Sequence, residues 1–115
     1  MGDLEALREK LRSFVEARDW AQFHSPKNLA MALGGEAGEL LEVFQWLTEA
    51  DSKALKPEQR DAAAMEIADV FLYLVMLADA LDLDLLEVAN RKLGLNEGRY
   101  PADKVRGSAK KHTEY

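Results

Sequence analysis

Apolar residues recur three and four positions apart along most of the chain, and no stretch alternates between apolar and polar residues as a half-buried strand would. Near the start, this pattern predicts a first helix from an Asp3 cap to about Arg18. Residues 19–25 form a connector that is rich in aromatic side chains. Ser25 and Pro26 then provide a helix cap and a first-turn proline, so we expect a second helix to begin here.

The second helix is expected to run to about Leu47 or Glu49, and a polar loop over 50–56 separates it from the next helix. Pro57 opens this third helix, which should reach about Leu81. Because the loop is short, the second and third helices are predicted to be antiparallel neighbours.

A fourth helix should be capped by Asp82 or Asp84 and end near Gly94, since glycine is common just after a helix. Residues 95–115 contain glycines and a proline, have little apolar periodicity, and are predicted to form an irregular basic tail. The 115 residues are therefore predicted to form a single all-α domain, an antiparallel four-helix bundle.

The third helix carries information about assembly. Between Ala62 and Leu81 the only charged residues are Glu66, Asp69 and Asp79, and the others are apolar or aromatic on all sides. A helix that is apolar all round must be covered all round. Membrane insertion would bring two acids near the middle of the helix into lipid, which is costly. We therefore expect a homo-oligomer with this helix near the interface.

Composition narrows the classes of function. The chain has no cysteine, which excludes disulfides and thiolate metal sites. Its net charge of −6 argues against general binding to nucleic acid or to a membrane, because both reward clustered cations. The first residues show no basic segment followed by an apolar one, so we expect no secretory signal and a cytoplasmic protein.

The charges are unevenly distributed. Lys and Arg are absent from 28–52 and from 61–90, and they gather near the start and between Arg91 and Lys111. A carboxylate-rich centre with a basic tail suits a metal together with a polyphosphate. A solvated tail, including the Lys110–Lys111 pair, explains the same charges equally well.

Two pairs of acids lie on the helix faces that should point inward. Glu36 and Glu39 are spaced i, i+3 on the second helix, and Glu66 and Asp69 repeat the spacing on the third. Buried carboxylates that lack a cation would normally protonate. Because all the ligands offered are hard oxygens, the pattern predicts Mg²⁺, with Mn²⁺ as a substitute. A di-iron bundle would require Glu-x-x-His motifs, which the sequence lacks.

Three glycines accompany the first pair of acids, at positions 34, 35 and 38. Glycine inside a helix costs about 1 kcal/mol relative to alanine. A closely bound ligand, a tightly crossed neighbouring helix and a kink each explain their presence.

These acid pairs resemble the Glu-x-x-Glu and Glu-x-x-Asp signature of the MazG-like, all-α nucleoside triphosphate pyrophosphatase superfamily, in segments 35–40 and 66–70. Further matches, from about Leu7 onward, resemble its dCTP pyrophosphatase branch. They are Arg18-Asp19-Trp20, Phe23-His24, Pro26-x-Asn28-Leu29, Phe44-Gln45-Trp46, Arg99-Tyr100-Pro101 and Lys111-x-Thr113-Glu114. His112 departs from the tyrosine that some relatives carry, which bears only on contacts of the tail.

The resemblance implies a helical bundle that assembles as a tetramer, a pair of dimers. It implies Mg²⁺-dependent hydrolysis of a deoxynucleoside triphosphate to the monophosphate and pyrophosphate. The residues it assigns are Glu36, Glu39, Glu66 and Asp69 as metal ligands; Lys92, Asn96, Arg99 and Tyr100 at the phosphates and sugar; and Trp20, His24 and Trp46 around the base.

A chemical mechanism agrees with this assignment. A bound Mg²⁺ would neutralise phosphate charge and act as a Lewis acid, and Glu39 is favoured among the four acids to orient or deprotonate the water. Lys92 and Arg99 would stabilise charge on the leaving group. Without the resemblance, the two tryptophans are more simply core or interface aromatics, and His24 and Lys92 are ordinary polar residues.

The leading hypothesis is hydrolysis of dCTP and 5-modified dCTP in nucleotide-pool cleaning. The same chemistry on dUTP, another damaged nucleotide or phosphoribosyl-ATP is the nearest alternative. A non-catalytic helical module that binds metal for assembly, and a regulatory protein that binds nucleotide without hydrolysis, are the alternatives from other classes.

Overall fold

The computed structural model describes residues 2–109, and in this part of the chain all regular structure is helical. The helices are α1 (Asp3–Ala17), a short 3-10 helix (Ala21–Phe23), α2 (Pro26–Phe44), α3 (Glu49–Ser52), α4 (Pro57–Ala80), α5 (Leu85–Arg99) and α6 (Ala102–Val105). The predicted all-α class is confirmed. The matches at Lys111, Thr113 and Glu114, the departure at His112 and the Lys110–Lys111 pair lie outside the described residues.

The chain divides into two compact units between Asp82 and Leu83. The first contains α1 to α4, and the second contains α5 and α6. The four long helices expected from the sequence are present as α1, α2, α4 and α5. A single domain over 1–115 stays a prediction.

Helices α2 and α4 form the main packed pair of the first unit. Leu29 near the start of α2 and Val75 near the end of α4 are both buried and line the same groove. Further along α2, Glu36 approaches Glu66, which lies nearer the start of α4. Residue numbers therefore rise along α2 as they fall along α4, and the predicted antiparallel arrangement of the two helices is confirmed.

Two of the predicted helix caps are observed. The Ser25 Oγ accepts a hydrogen bond from the backbone N–H of Asn28 at 3.2 Å, and the Asp84 carboxylate accepts one from Glu87 at 3.1 Å. The expected Asp3 cap is wrong, because Gly2 is the N-cap and Asp3 is already in the first turn. Its carboxylate there still faces the positive end of the helix dipole.

Other helix limits differ from the prediction. Helix α2 ends at Phe44, before Leu47, because Thr48 adopts an extended conformation and caps a new helix within the expected loop. Helix α5 runs through Gly94 to Arg99, so the start of the expected irregular tail, residues 95–99, is helical. One glycine costs a helix only about 1 kcal/mol, whereas a residue before proline is pushed out of the helical conformation. Tyr100 stands in that position, before Pro101.

No helix within residues 2–109 combines the length and the hydrophobicity needed to cross a membrane.

Candidate functional site

Three carboxylates from two helices converge on one point of the first unit. Glu36 and Glu39 project from α2 and Glu66 projects from α4, and one oxygen from each lies within 4.8 Å of the others. Glu36 and Glu66 are half-buried, whereas Glu39 is exposed. The i, i+3 spacing on α2 and the antiparallel contact with α4 together produce this convergence. We call these three residues the acid cluster.

Asp69, the fourth predicted ligand, lies outside this group of three but acts on it. Its negative charge contributes to raising the pKa of both Glu36 and Glu66. Asp69 is half-buried, one helical turn beyond Glu66 on α4. Its role as a direct metal ligand stays a prediction.

The acid cluster is electrostatically unfavourable without a cation. Burial raises the pKa of Glu36 to about 7, and the neighbouring Glu39 adds to this effect. Burial also raises the pKa of Glu66, again with a contribution from Glu39. The Oε2 atoms of Glu36 and Glu66 are closed to solvent and have no hydrogen-bond partner in the described structure. Buried oxygens of this kind normally have a partner.

The donor set fits a divalent cation. No ion pair within residues 2–109 reaches the three carboxylates. Carboxylate oxygens on two facing helices are the hard ligands that Mg²⁺ and Mn²⁺ prefer. A cation there would partner the two orphaned oxygens and lower the pKa values that mutual repulsion and burial have raised.

The three glycines of α2 leave open space beside the acid cluster. A Cβ atom built on Gly34, Gly35 or Gly38 would meet nothing within 4 Å in the described part of the chain. A tightly crossed helix from within residues 2–109 is therefore the wrong explanation for these glycines. A bound ligand, a second chain and a kink remain.

A groove of about 410 Å³ lies elsewhere in the first unit, between α1, the 3-10 helix, the start of α2 and the end of α4. Its apolar lining includes Leu11, Val15 and Met76, beside the buried Leu29 and Val75. Its polar lining includes Arg8, Arg12, His24 and Asp79. An apolar cleft with a few convergent polar groups is typical of a small-molecule site.

The groove lies on the same face of α2 as Glu36 and on the same face of α4 as Asp69. On α2, Leu29 in the groove is seven residues from Glu36, and on α4, Met76 in the groove is seven residues from Asp69. Seven residues make two turns of a helix and bring a side chain back to the same face, about 10 Å along the axis. The groove therefore lies about two turns from one predicted metal ligand on each helix.

An ion pair forms part of the groove wall. The Arg12 guanidinium on α1 donates two hydrogen bonds to Asp79 on α4, from Nε to Oδ2 at 2.8 Å and from Nη2 to Oδ1. The Arg12 side chain lowers the pKa of Asp79, and Asp79 in turn raises the pKa of Arg12. Sequence reasoning missed this pair because its members are 67 positions apart. The available signal was Asp79 itself, the third acid in the otherwise apolar stretch 62–81.

The three residues predicted to surround a base do not meet in one chain. His24 lines the groove, and Trp20 packs edge to face on Phe14 with ring centroids 5.7 Å apart. Trp46 follows the far end of α2, a helix of 19 residues and therefore about 28 Å long. Trp46 is 87% exposed. Its contact with a base bound near His24 would require a second copy of the chain.

The residues predicted at the phosphates belong to the second unit. Lys92, Asn96 and Arg99 lie at i, i+4 and i+7 on one face of α5, and Tyr100 follows the helix as its C-cap. Lys92 and Arg99 are exposed, and Asn96 and Tyr100 are half-buried. Their contacts with a triphosphate stay a prediction.

Comparisons with known proteins show which family the chain resembles. The MazG-like family matches residues 32–114. The chain is 44% identical to rat (Rattus norvegicus) dCTP pyrophosphatase 1 and 43% identical to human (Homo sapiens) dCTP pyrophosphatase 1, over 96% of its own length in each case. It spans 66% of the length of each of these relatives. A pyrophosphatase crystal structure from Archaeoglobus fulgidus superposes with a TM-score of 0.83 at 36% identity, covering 88% of this chain and 94% of that one.

Proposed function

Because the chain belongs to the MazG-like family, we propose that it is a metal-dependent pyrophosphohydrolase of deoxynucleoside triphosphates. It converts the triphosphate to the monophosphate and pyrophosphate. The names of the relatives, dCTP pyrophosphatase 1 and a pyrophosphatase, support this reaction. The proposed substrates are dCTP and 5-modified dCTP, and the proposed role is nucleotide-pool cleaning in the cytoplasm.

The convergence of the acid cluster is the single observation that carries the proposal. Three carboxylates lie within 4.8 Å of one another, and two of them have buried oxygens without a hydrogen-bond partner. A dication is a better partner for them than any group in the described chain. Glu36, Glu39 and Glu66 would hold Mg²⁺, or Mn²⁺ in its place, with Asp69 as the fourth ligand. When bound, the ion would supply Lewis acidity and neutralise phosphate charge.

The chain's own side chains would supply the proton chemistry and the charge stabilisation. Glu39 is the one exposed member of the acid cluster, so it is the carboxylate open to an attacking water. We assign it the role of orienting that water or accepting its proton. Lys92 and Arg99, on one face of α5, would hold the pyrophosphate leaving group, with Asn96 beside the sugar and Tyr100 flanking the phosphates.

The groove is the proposed base subsite. It opens about two helical turns from Glu36 on α2 and from Asp69 on α4, a distance that the sugar and base of one nucleotide can bridge. His24 lines it, in agreement with the predicted base-binding role of that residue. Trp20 and Trp46 would stack on the base only after assembly or movement, since the groove lining contains neither.

Assembly into a homo-oligomer is part of the proposal, with the tetramer as the expected form. Helix α4 leaves Met65, Ile67 and Phe71 exposed, and α2 leaves Met31 and Leu41 exposed. Apolar surface of this extent on adjacent helices is typical of an interface. A second copy could bring its own Trp46 to the groove.

A panel of nucleoside triphosphates tests the function directly. The pure protein with Mg²⁺ should release pyrophosphate from dCTP, stop when EDTA is added, and resume when excess Mg²⁺ is restored. Light scattering during gel filtration should show a mass above that of one 12.9 kDa chain. If no nucleotide in the panel releases pyrophosphate, the enzyme proposal fails, and a non-catalytic assembly module becomes the better explanation of the acids.

A further inference from the structure

The ion pair between Arg12 and Asp79 has no part in the proposed hydrolysis, yet both residues line the groove. Two of the four lone-pair positions of the Asp79 carboxylate are used by Arg12, and two remain. The Asp79 side chain is 26% exposed to solvent. A fixed carboxylate with free acceptor capacity therefore lies on the wall of an apolar groove.

The orientation of Asp79 suits contact with a base. Side chains of a helix lean toward its N-terminus, which on α4 is the direction of Glu66 and Asp69. Asp79 is ten residues beyond Asp69, so a base held against Val75 and Met76 would have the Asp79 carboxylate at the end farthest from the phosphates. In a pyrimidine nucleotide, that end carries the substituent at C4.

The charge state of Asp79 determines what it can recognise. The hydrogen bonds from Arg12, with a smaller contribution from the charge of Arg8, lower the pKa of Asp79, so it stays ionised at neutral pH. An ionised carboxylate only accepts hydrogen bonds. It therefore favours the amino group of cytosine or adenine and opposes the carbonyl oxygen of uracil, thymine or guanine at the corresponding position.

We propose that Asp79, held in place by Arg12, selects substrates whose base carries an exocyclic amino group on the edge that faces away from the sugar. The inference rests on the proposed function for the groove as base subsite. Asp79 is the specificity-determining residue in contact with the base, and Arg12 is a positioning residue. An ion pair that merely ties α1 to α4 would not distinguish one base from another.

The first test uses the unaltered protein and three triphosphates. The kcat/KM for dCTP should exceed that for dUTP and that for the pyrimidin-2-one analogue, in which hydrogen replaces the amino group, by about tenfold or more in each case. The analogue is smaller than cytosine, so a loss with it cannot come from a steric clash. Equal kcat/KM values for dCTP and the analogue would overturn the inference while leaving the hydrolase proposal intact.

The second test compares variants. Asp79→Asn should reduce the dCTP to dUTP ratio of kcat/KM by about tenfold or more, because an amide can present either a donor or an acceptor. Arg12→Gln should raise the KM for dCTP but keep part of the preference, since Asp79 remains. Glu9→Gln is the matched control, because Glu9 accepts a hydrogen bond from Arg12 at 2.8 Å without lining the groove. An equal fall in kcat/KM for dCTP and for dUTP in Asp79→Asn would mean that Asp79 has a structural role only.

A binding measurement separates the two proposals. Calorimetric titration with dCMP and dUMP needs no turnover and reads base preference alone. The unaltered protein should bind dCMP about tenfold more tightly than dUMP, and Asp79→Asn should lose that difference. A preserved preference without hydrolysis overturns the function and supports the base selection, whereas equal dissociation constants in the unaltered protein overturn the base selection even if hydrolysis occurs.

Discussion

Two carboxylates of helix α4, Glu66 and Asp79, have opposite electrostatic surroundings in the first unit. Glu66 meets two further acids and no cation in the described chain, and burial raises its pKa. Asp79, thirteen residues later, receives two hydrogen bonds from Arg12, and its pKa is lowered. The carboxylates of the acid cluster have no cationic side chain as a partner, so they are suited to a bound metal ion. The Asp79 carboxylate is neutralised by Arg12 of the same chain, so it is suited to stabilising the fold or to recognising a ligand.

Substitution in the acid cluster should produce the largest effect. Glu39→Gln and Asp69→Asn should each reduce the rate of pyrophosphate release on the order of a hundredfold or more, because each removes a charged oxygen from the metal site. The melting temperature should be kept or raised, since the change also removes a like charge. Steady-state kinetics and thermal unfolding measure both quantities.

Glu42→Gln provides the control for this first prediction, because Glu42 is an exposed acid on the same helix and outside the acid cluster. It should leave the rate unchanged. A rate that survives in Glu39→Gln and in Asp69→Asn would show that the catalytic assignment is wrong.

The pH dependence of stability should differ between the metal-free and the metal-bound protein. The pKa of Glu36 is raised to about 7 in the folded state from an ordinary value of 4.5. The folded state therefore binds more protons than the unfolded state between these values, and metal-free stability should fall as the pH rises from 5 to 8. Mg²⁺ binds the ionised carboxylates, so its stabilising effect should be larger at pH 8 than at pH 5.

Thermal unfolding in EDTA and in Mg²⁺ across this pH range checks the second prediction. Glu36→Gln removes the titrating group and should flatten the fall seen in EDTA. The melting temperature of the unaltered protein in EDTA could instead change as little with pH as that of the variant. That result would show that burial and repulsion do not raise the pKa of Glu36 as described above.

The ion pair should have a smaller effect on stability, with the opposite dependence on pH. The pKa of Asp79 is lowered in the folded state. The contribution of the ion pair to stability is therefore present above the pKa of the unfolded state, and it is lost as the pH falls through the pKa of the folded state. Asp79→Asn should lower the melting temperature by no more than a few degrees at pH 7 and by less at pH 3. An equal loss at both pH values would mean that packing, and not charge, accounts for it.

The smallest expected effect concerns the glycines beside the acid cluster. Gly35→Ala and Gly38→Ala should each stabilise α2 by up to about 1 kcal/mol, since nothing in the described chain would meet the added methyl group. Activity should nevertheless fall if a ligand or a second chain approaches this backbone. Gly98→Ala, at a helical glycine of α5 that also has open space, is the control. Unchanged activity in both α2 variants would leave a kink as the explanation.

The positions of the helices and the pairing of acids followed from local rules. Ser25, Pro26 and Asp84 mark helix starts through contacts within a few residues, and the i, i+3 spacing places Glu36 and Glu39 on one face of α2. The absence of Lys and Arg from 28–52 and 61–90 already indicated that the acids lack a cation within reach along their own helices. The resemblance to the MazG-like family rested on the same short segments.

Tertiary structure decided what lies together across large separations in sequence. It brings Glu66 within 4.8 Å of the acids of α2, and it gives Asp79 a cation from α1 that no local spacing could indicate. It also places His24 and Trp46 at opposite ends of α2, although the family resemblance assigned both to one base. Capping and periodicity act over one or two turns, whereas ion pairs, grooves and convergent ligands depend on how whole helices pack.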